Sequence, residues 1–119
     1  MQYLLLIYSD EKADANVSKE EMDAWMGEYL AYTEAMRKSG VYKGGEALHP
    51  TSAATTVRVQ NGKKVTTHGP FAETKEQLGG YYLLDCKNLD EAIEWAAKCP
   101  GARVGSIEVR PVMDFSQAP

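Results

Sequence analysis

Cysteine is scarce in this chain: Cys86 and Cys99 are the only two in 119 residues. Their spacing fits neither a CxxC redox pair nor a zinc site, and a chain of this length buries enough surface to fold without covalent staples. Two reduced thiols are expected. Long apolar runs are missing as well. The run at residues 3–8 follows no basic segment and is too short for a signal peptide or a membrane helix. The Asn16-Val17-Ser18 sequon is therefore idle, and the cytoplasm is the expected address. No excess of positive charge exists either: 13 Lys and Arg stand against 17 Asp and Glu, a net charge of −4. That balance argues against a nucleic-acid or anionic-membrane surface. GxGxxG, Walker, GxSxG and HExxH patterns are all absent, as is a Cys/His nucleophile pair. Neither a cofactor nor a metal site is expected. What remains, at 44% hydrophobic and 25% charged residues, is one soluble globular domain over residues 1–119.

The apolar run at residues 3–8 is hydrophobic at both alternating positions, the pattern of a strand covered on both sides. A polar loop follows to about Asn16. Ser18 and Glu21 form a capping box, with Val17 and Met22 at staple positions. Met22, Trp25, Met26, Tyr29, Leu30 and Met36 then follow at helical spacing as a core stripe. Ser39-Gly40 supplies a left-handed stop. Residues 41–49 read as a short strand interrupted by Gly44-Gly45 and closed by Pro50. Two β-rich runs, 55–60 and 63–68, flank Asn61-Gly62. A three-residue loop there pairs Val57 with Val65, keeping apolar with apolar, and is the expected register. It would place Thr56, Arg58, Lys64, Thr66 and His68 on one polar face. Residues 81–86 form another strand that is apolar on both faces over most of its length. Asn88 and Glu91 cap a second helix with Leu89, Ala92, Trp95, Ala96 and Cys99 on one side, which Pro100-Gly101 ends. Residues 104–111 alternate, Ile107 and Val109 facing one way and Glu108 and Arg110 the other. The tail from residue 114 to 119 has no pattern.

The resulting order is β-α-β, a β-hairpin, then β-α-β. Without the hairpin this is a ferredoxin-like α+β plan, an antiparallel sheet with both helices on one face. Two strands apolar on both faces then need a second cover. The expected cover is another copy of the chain, in an isologous homodimer with facing sheets.

The stretch Thr67-His68-Gly69-Pro70-Phe71-Ala72-Glu73-Thr74-Lys75-Glu76-Gln77-Leu78-Gly79-Gly80-Tyr81-Tyr82 resembles the signature DGPFxETKExLGGY of the DGPF-type branch of the YCII-related family. The first ten residues, residues 89–97 and residues 107–112 resemble its start, second helix and last strand. His68 stands where the name-giving Asp belongs. The resemblance implies a dimeric ferredoxin-like α/β barrel. It also implies kinship with a dehydrochlorinase acting on a chlorinated hydroxyquinol, and with proteins for which a His/Asp active site is proposed. DGPF-type members occur beside or fused to extracytoplasmic-function sigma factors, which implies a regulatory alternative.

His68 is the leading catalytic candidate. Imidazole exchanges protons near neutral pH, and Gly69-Pro70 fixes the turn behind it. On the expected hairpin face, Arg58 would lie nearby to hold an anionic substrate. The motif adds Glu73 and Lys75 as substrate-binding candidates, although a Glu–Lys–Glu cluster is usually a solvated face. Phe71 is expected to anchor its loop in the core or the dimer. Asp10 is read as a turn former, and His49 before Pro50 as an unspecific lone histidine. Two functions follow. One is a cofactor-independent, lyase-like enzyme on a small phenolic or halogenated molecule, with His68 as general base in a dimer-interface cavity. The other is a ligand-sensing or partner-binding module, associated with a sigma factor.

Overall fold

The computed structural model describes residues 1–117. Strand β1 (Gln2–Ser9) leads through a short helix α1 (Glu11–Asp14) to the long helix α2 (Lys19–Ser39) and strand β2 (Tyr42–Ala47). A hairpin of β3 (Thr55–Gln60) and β4 (Lys63–His68) precedes β5 (Gln77–Asp85), helix α3 (Leu89–Lys98) and β6 (Ser106–Pro111). Four strands form an antiparallel sheet in the order β2-β5-β1-β6, and β3-β4 form a separate two-stranded sheet. Each helix thus crosses over one intervening strand, which is the split βαβ topology expected from the residue pattern. The final 3₁₀ turn, Phe115–Gln117, is capped by Asp114, which accepts from the Ser116 amide at 3.0 Å. Residues 118–119 of the tail lie outside the described residues.

Local chemistry explains the boundaries. Asp10 caps α1 by accepting from the Lys12 amide at 3.0 Å, so the expected polar loop contains one helical turn. Ser18 caps α2 by accepting from the Glu21 amide at 3.1 Å, and Gly40 ends it at φ +83°. Asn88 caps α3 through the Glu91 amide at 3.0 Å. Leu5, Met36, Leu84, Cys86, Ala92 and Cys99 are the most deeply buried core residues, between the sheet and the C-terminal half of α2 with α3. The Tyr32 hydroxyl closes that end by donating to the Trp95 carbonyl at 2.7 Å.

Two expectations need correction. The α2 stripe does not fill the core along its length. Only Tyr32 and Met36 of this helix are buried, while Met22, Met26 and Leu30 are 45%, 58% and 70% exposed. The N-terminal half of α2 stands off the sheet, and its apolar side chains line space instead of filling it.

The hairpin register also differs. Arg58 pairs with Val65, Val57 with Thr66 and Thr55 with His68. The loop is the two residues Asn61 and Gly62, both at positive φ (+52° and +75°), as a type I′ turn requires. Apolar pairing did not decide because no core lies on either face: apart from Thr56, every β3 and β4 residue is exposed. With neither face buried, turn chemistry sets the register. Arg58 and His68 consequently project from opposite faces of the hairpin.

Candidate functional site

The space under the raised end of α2 is a cavity of about 740 Å³. Its wall on the helix side is Met22, Trp25, Met26 and Tyr29; the sheet supplies Ile7, Tyr42 and Tyr82. Glycines keep its floor open. Gly79 is the extra residue of a bulge in β5, where Ile7 pairs with Gly80 but Tyr8 with Leu78. A Cβ on Gly80 would lie 2.9 Å from the Glu46 carbonyl oxygen, and one on Gly45 would lie 2.7 Å from the Tyr82 ring. Both strands approach closely there, and both glycines face the cavity.

Polar groups gather at the mouth: Ser9, Glu11, Asp14, Glu46 and His49. Glu11 organises them. Its carboxylate accepts from the Thr51 amide at 2.8 Å and from the Thr51 hydroxyl at 2.7 Å. Its own amide donates to the Gln77 side-chain oxygen at 2.9 Å, and the Gln77 nitrogen donates to the Thr74 carbonyl at 2.6 Å. Leu48 donates to the Gly79 carbonyl at 2.9 Å, pinning the segment that carries His49 onto the bulge. Ser9 donates to Asp14 at 2.7 Å. Deeper in, the Thr33 hydroxyl proton goes to the Tyr29 carbonyl at 2.9 Å, so the Tyr82 hydroxyl, 2.9 Å from Thr33 Oγ1, is the donor in that contact. Burial raises both phenols above their usual range, with Cys99 adding to the effect at Tyr29 and the Thr33 contact opposing it at Tyr82. Both stay protonated near neutral pH and serve as hydrogen-bonding groups, not bases. The wall groups suited to accept a proton are His49 and the carboxylates. Among the described residues no cluster of three His, Cys, Asp or Glu is placed to hold a metal ion.

The residues singled out from the sequence lie elsewhere. His68 is exposed at the end of β4, and Arg58 is exposed on the other face of the hairpin. Glu73 and Lys75 are exposed in the segment between β4 and β5. None of the four lines the cavity, and the chain does not bring them together. Phe71 is 78% exposed, so it does not anchor its loop in this chain's core; hydrogen bonds of Thr74, Glu76 and Gln77 do that. Glu108 and Arg110 form an ion pair within β6, and Glu108 also accepts from Tyr8 at 3.4 Å. A lone histidine carries no motif, so no sequence pattern marks His49. The signal that points to it is the pair of double glycines, Gly44-Gly45 and Gly79-Gly80, inside strands.

The architecture defines an α+β domain of the ferredoxin-like kind, with a cavity between one helix and the sheet. The chain belongs to the YCII-related family, whose domain model matches residues 1–116. An uncharacterised protein of Rhizobium meliloti (strain 1021) is 42% identical over 114 residues, 94% of this chain and 92% of that relative. Among solved structures, the fold is similar to 5-chloro-2-hydroxyhydroquinone dehydrochlorinase from Burkholderia phenoliruptrix AC1100, in complex with 2,5-dihydroxybenzoquinone. That match has a TM-score of 0.55 at 14% identity, covering 95% of this chain and 94% of the other. No helix among the described residues is long and apolar enough to cross a membrane.

Proposed function

We propose that this protein binds a small phenolic or halogenated aromatic molecule in the cavity under α2 and eliminates a leaving group from it by cofactor-independent proton transfer. The carrying observation is the cavity itself: about 740 Å³, aromatic and apolar inside, with one histidine among the polar groups at its mouth. That is the size and composition of a small-molecule site. Elimination needs a base to take a proton while the leaving group departs with its bonding electrons. His49 is placed for that role at the mouth, with the Tyr82 hydroxyl held as a polar contact inside. The similarity in fold to a dehydrochlorinase supports the reaction class.

His68, with Arg58, Glu73 and Lys75, enters this reading through a second chain, because within one chain these residues stand outside the cavity wall. A homodimer with facing sheets is supported by the open side of the sheet, where half-exposed Leu4, Leu6 and Leu83 lie opposite the buried Tyr3, Leu5 and Leu84. Cytoplasmic placement belongs to the same reading, supported by two free, buried cysteines. The alternative, a ligand sensor linked to a sigma factor, predicts binding without turnover.

The test is chlorohydroquinone, followed by quenching of Trp25 fluorescence and by chloride release. At about 0.5 kcal/mol for each of about nine heavy atoms, saturable quenching is expected with Kd of about 0.5 mM. Trp25→Phe should remove the signal. Chloride release that falls at least tenfold in His49→Ala, with folding intact, supports the assignment of the base. Loss in His68→Ala alone moves the base to the hairpin, and absence of saturable binding overturns the cavity as the site.

A further inference from the structure

The inner wall of the cavity holds a hydrogen-bond chain whose direction is fixed at one end. The Tyr29 carbonyl can only accept, so the Thr33 hydroxyl, 2.9 Å away, places its single proton there. Thr33 Oγ1 can then only accept from the Tyr82 hydroxyl, also at 2.9 Å. The Tyr82 proton is committed as well. What Tyr82 keeps is the unused acceptor capacity of its oxygen, and no donor among the described residues reaches it.

The Tyr82 ring has little freedom to turn that oxygen elsewhere. It stands edge-on to Tyr32 and Tyr42, with ring centroids 5.5 and 6.2 Å away. Tyr32 is itself tied to the Trp95 carbonyl, and on the strand side the ring fits only because Gly45 has no Cβ. Burial favours the protonated phenol, so the oxygen stays a neutral acceptor near neutral pH.

The rest of the wall sharpens the contrast. Tyr29 turns its hydroxyl away, to the buried Cys99 Sγ at 3.6 Å and against Gly101, where a Cβ would meet it at 2.7 Å. Among the described residues no Lys or Arg lines the cavity. Arg37 and Arg103 stack on the Tyr42 and Trp25 rings at 4.9 and 5.3 Å without joining the wall. An oxyanion at the inner end would face lone pairs with no cation to hold it, whereas a hydroxyl or amine proton would find an acceptor.

We infer that Tyr82 is a specificity-determining residue that reads a hydrogen-bond donor on the ligand, and that Thr33 is the positioning residue that sets it as an acceptor. The inference rests on the cavity being the small-molecule site proposed above. It narrows the ligand to an aromatic molecule whose inner end carries a neutral hydroxyl or amino group; an ether, carbonyl or carboxylate there is disfavoured. Seating that group at Tyr82 turns the opposite edge of the ring toward the mouth, where His49 stands.

Titration of Trp25 fluorescence with 4-chlorophenol and with its methyl ether, 4-chloroanisole, tests this. The wild type is expected to bind the phenol about tenfold more tightly, the contribution of one net hydrogen bond. Tyr82→Phe should erase the preference by weakening the phenol while leaving the ether unchanged. Thr33→Val frees the Tyr82 proton to donate, so it should erase the preference by the opposite route, tightening the ether. Thr33→Ser keeps the hydroxyl and should keep the preference. Trp25 and Tyr42 carry donors of their own, so the change from wild type to variant, rather than the raw affinities, isolates Tyr82. A merely structural role would weaken both ligands together in either variant, and that result overturns the inference. So does a wild type that binds phenol and ether alike; if chlorohydroquinone still quenches saturably, the cavity reading stands and only this inference falls. Absence of saturable quenching by all three molecules overturns both.

Discussion

Removing the Glu11 carboxylate tests how the cavity mouth is held. That side chain is half-buried and accepts two hydrogen bonds from Thr51, at 2.8 and 2.7 Å, bridging α1 to the segment that carries His49. Bonds to a charged acceptor contribute about 1.5–3 kcal/mol each when fully sheltered; with partial solvent screening, about 1 kcal/mol each is the fair figure. Glu11→Ala should therefore loosen residues 48–54 by about 2 kcal/mol, about a 30-fold rise in local opening. The bond to Gln77 uses the Glu11 backbone amide and survives the substitution. Hydrogen exchange is the direct assay. The Thr51 amide should lose about 30-fold in protection while the amides of Leu5 and Leu84, deep in the sheet, keep theirs. Chlorohydroquinone affinity should fall with it, because His49 and Leu48 move with the loosened segment. Glu11→Gln retains an acceptor for the Thr51 amide and should cost less than half as much. Unchanged protection at Thr51 in Glu11→Ala would refute the clamp, and unchanged affinity alongside lost protection would refute its link to the site.

Other outcomes follow from the same geometry. Gly80→Val should abolish chlorohydroquinone binding, since even a Cβ there meets the Glu46 carbonyl at 2.9 Å, and the remaining atoms enter the cavity; titration of Trp25 fluorescence reads this. Leu5→Ala, at a fully buried position between helix and sheet, should lower stability by about 3 kcal/mol in denaturant unfolding. Burial, with the nearby Glu91 carboxylate adding to it, pushes the Cys86 thiol from an ordinary 9.0 up to about 11. A raised folded value favours the protonated folded state. Its contribution is therefore complete below pH 9 and is lost as pH rises to about 11. Urea midpoints measured across that window should decline, and Cys86→Ala should flatten the decline.

The elements were legible where local chemistry fixes them. Ser18, Gly40 and Asn88 mark helix ends by hydrogen-bonding rules that need no tertiary context, and they fall where the caps are found. Ile107 and Val109 alternate inward in β6, as their spacing requires. Two features were not legible, for different reasons. Apolar pairing as a guide to the hairpin register presumes a buried face; the hairpin has none, so Asn61-Gly62 imposes its own two-residue turn. The α2 stripe reads as core, yet periodicity shows only which side of a helix faces the sheet, not how far away the sheet lies. The gap under Met22, Trp25 and Met26 exists because Gly45, Gly79 and Gly80 leave the opposite strands bare. Those glycines together with the stripe mark the cavity.

The same geometry changes what the HGPFAETKEQLGG stretch is for. Its charged residues have the chemistry of ligands, but Glu73 and Lys75 make no side-chain hydrogen bond or ion pair among the described residues. Their plainer neighbours hold the structure together. Thr74 donates to the Glu76 carbonyl at 2.5 Å, Glu76 accepts from Ser106 at 2.8 Å, and Gln77 ties the segment to the start of α1. Gly79 and Gly80 then form the cavity floor. Gly69, at φ +99°, turns the chain out of β4 in a conformation that side chains rarely adopt, so its place in the motif is set by the backbone. The motif thus reads first as the support for one wall of a cavity. His68 stands apart: its side chain has no bond to that framework and sits exposed at the end of the hairpin. An exposed histidine gains a defined chemical role when something covers it. If a second chain covers His68, His68→Ala should affect turnover only at protein concentrations where sedimentation velocity shows a dimer. Diluted to the monomer, the same substitution should change nothing. Equal loss at both concentrations would show that His68 acts within its own chain.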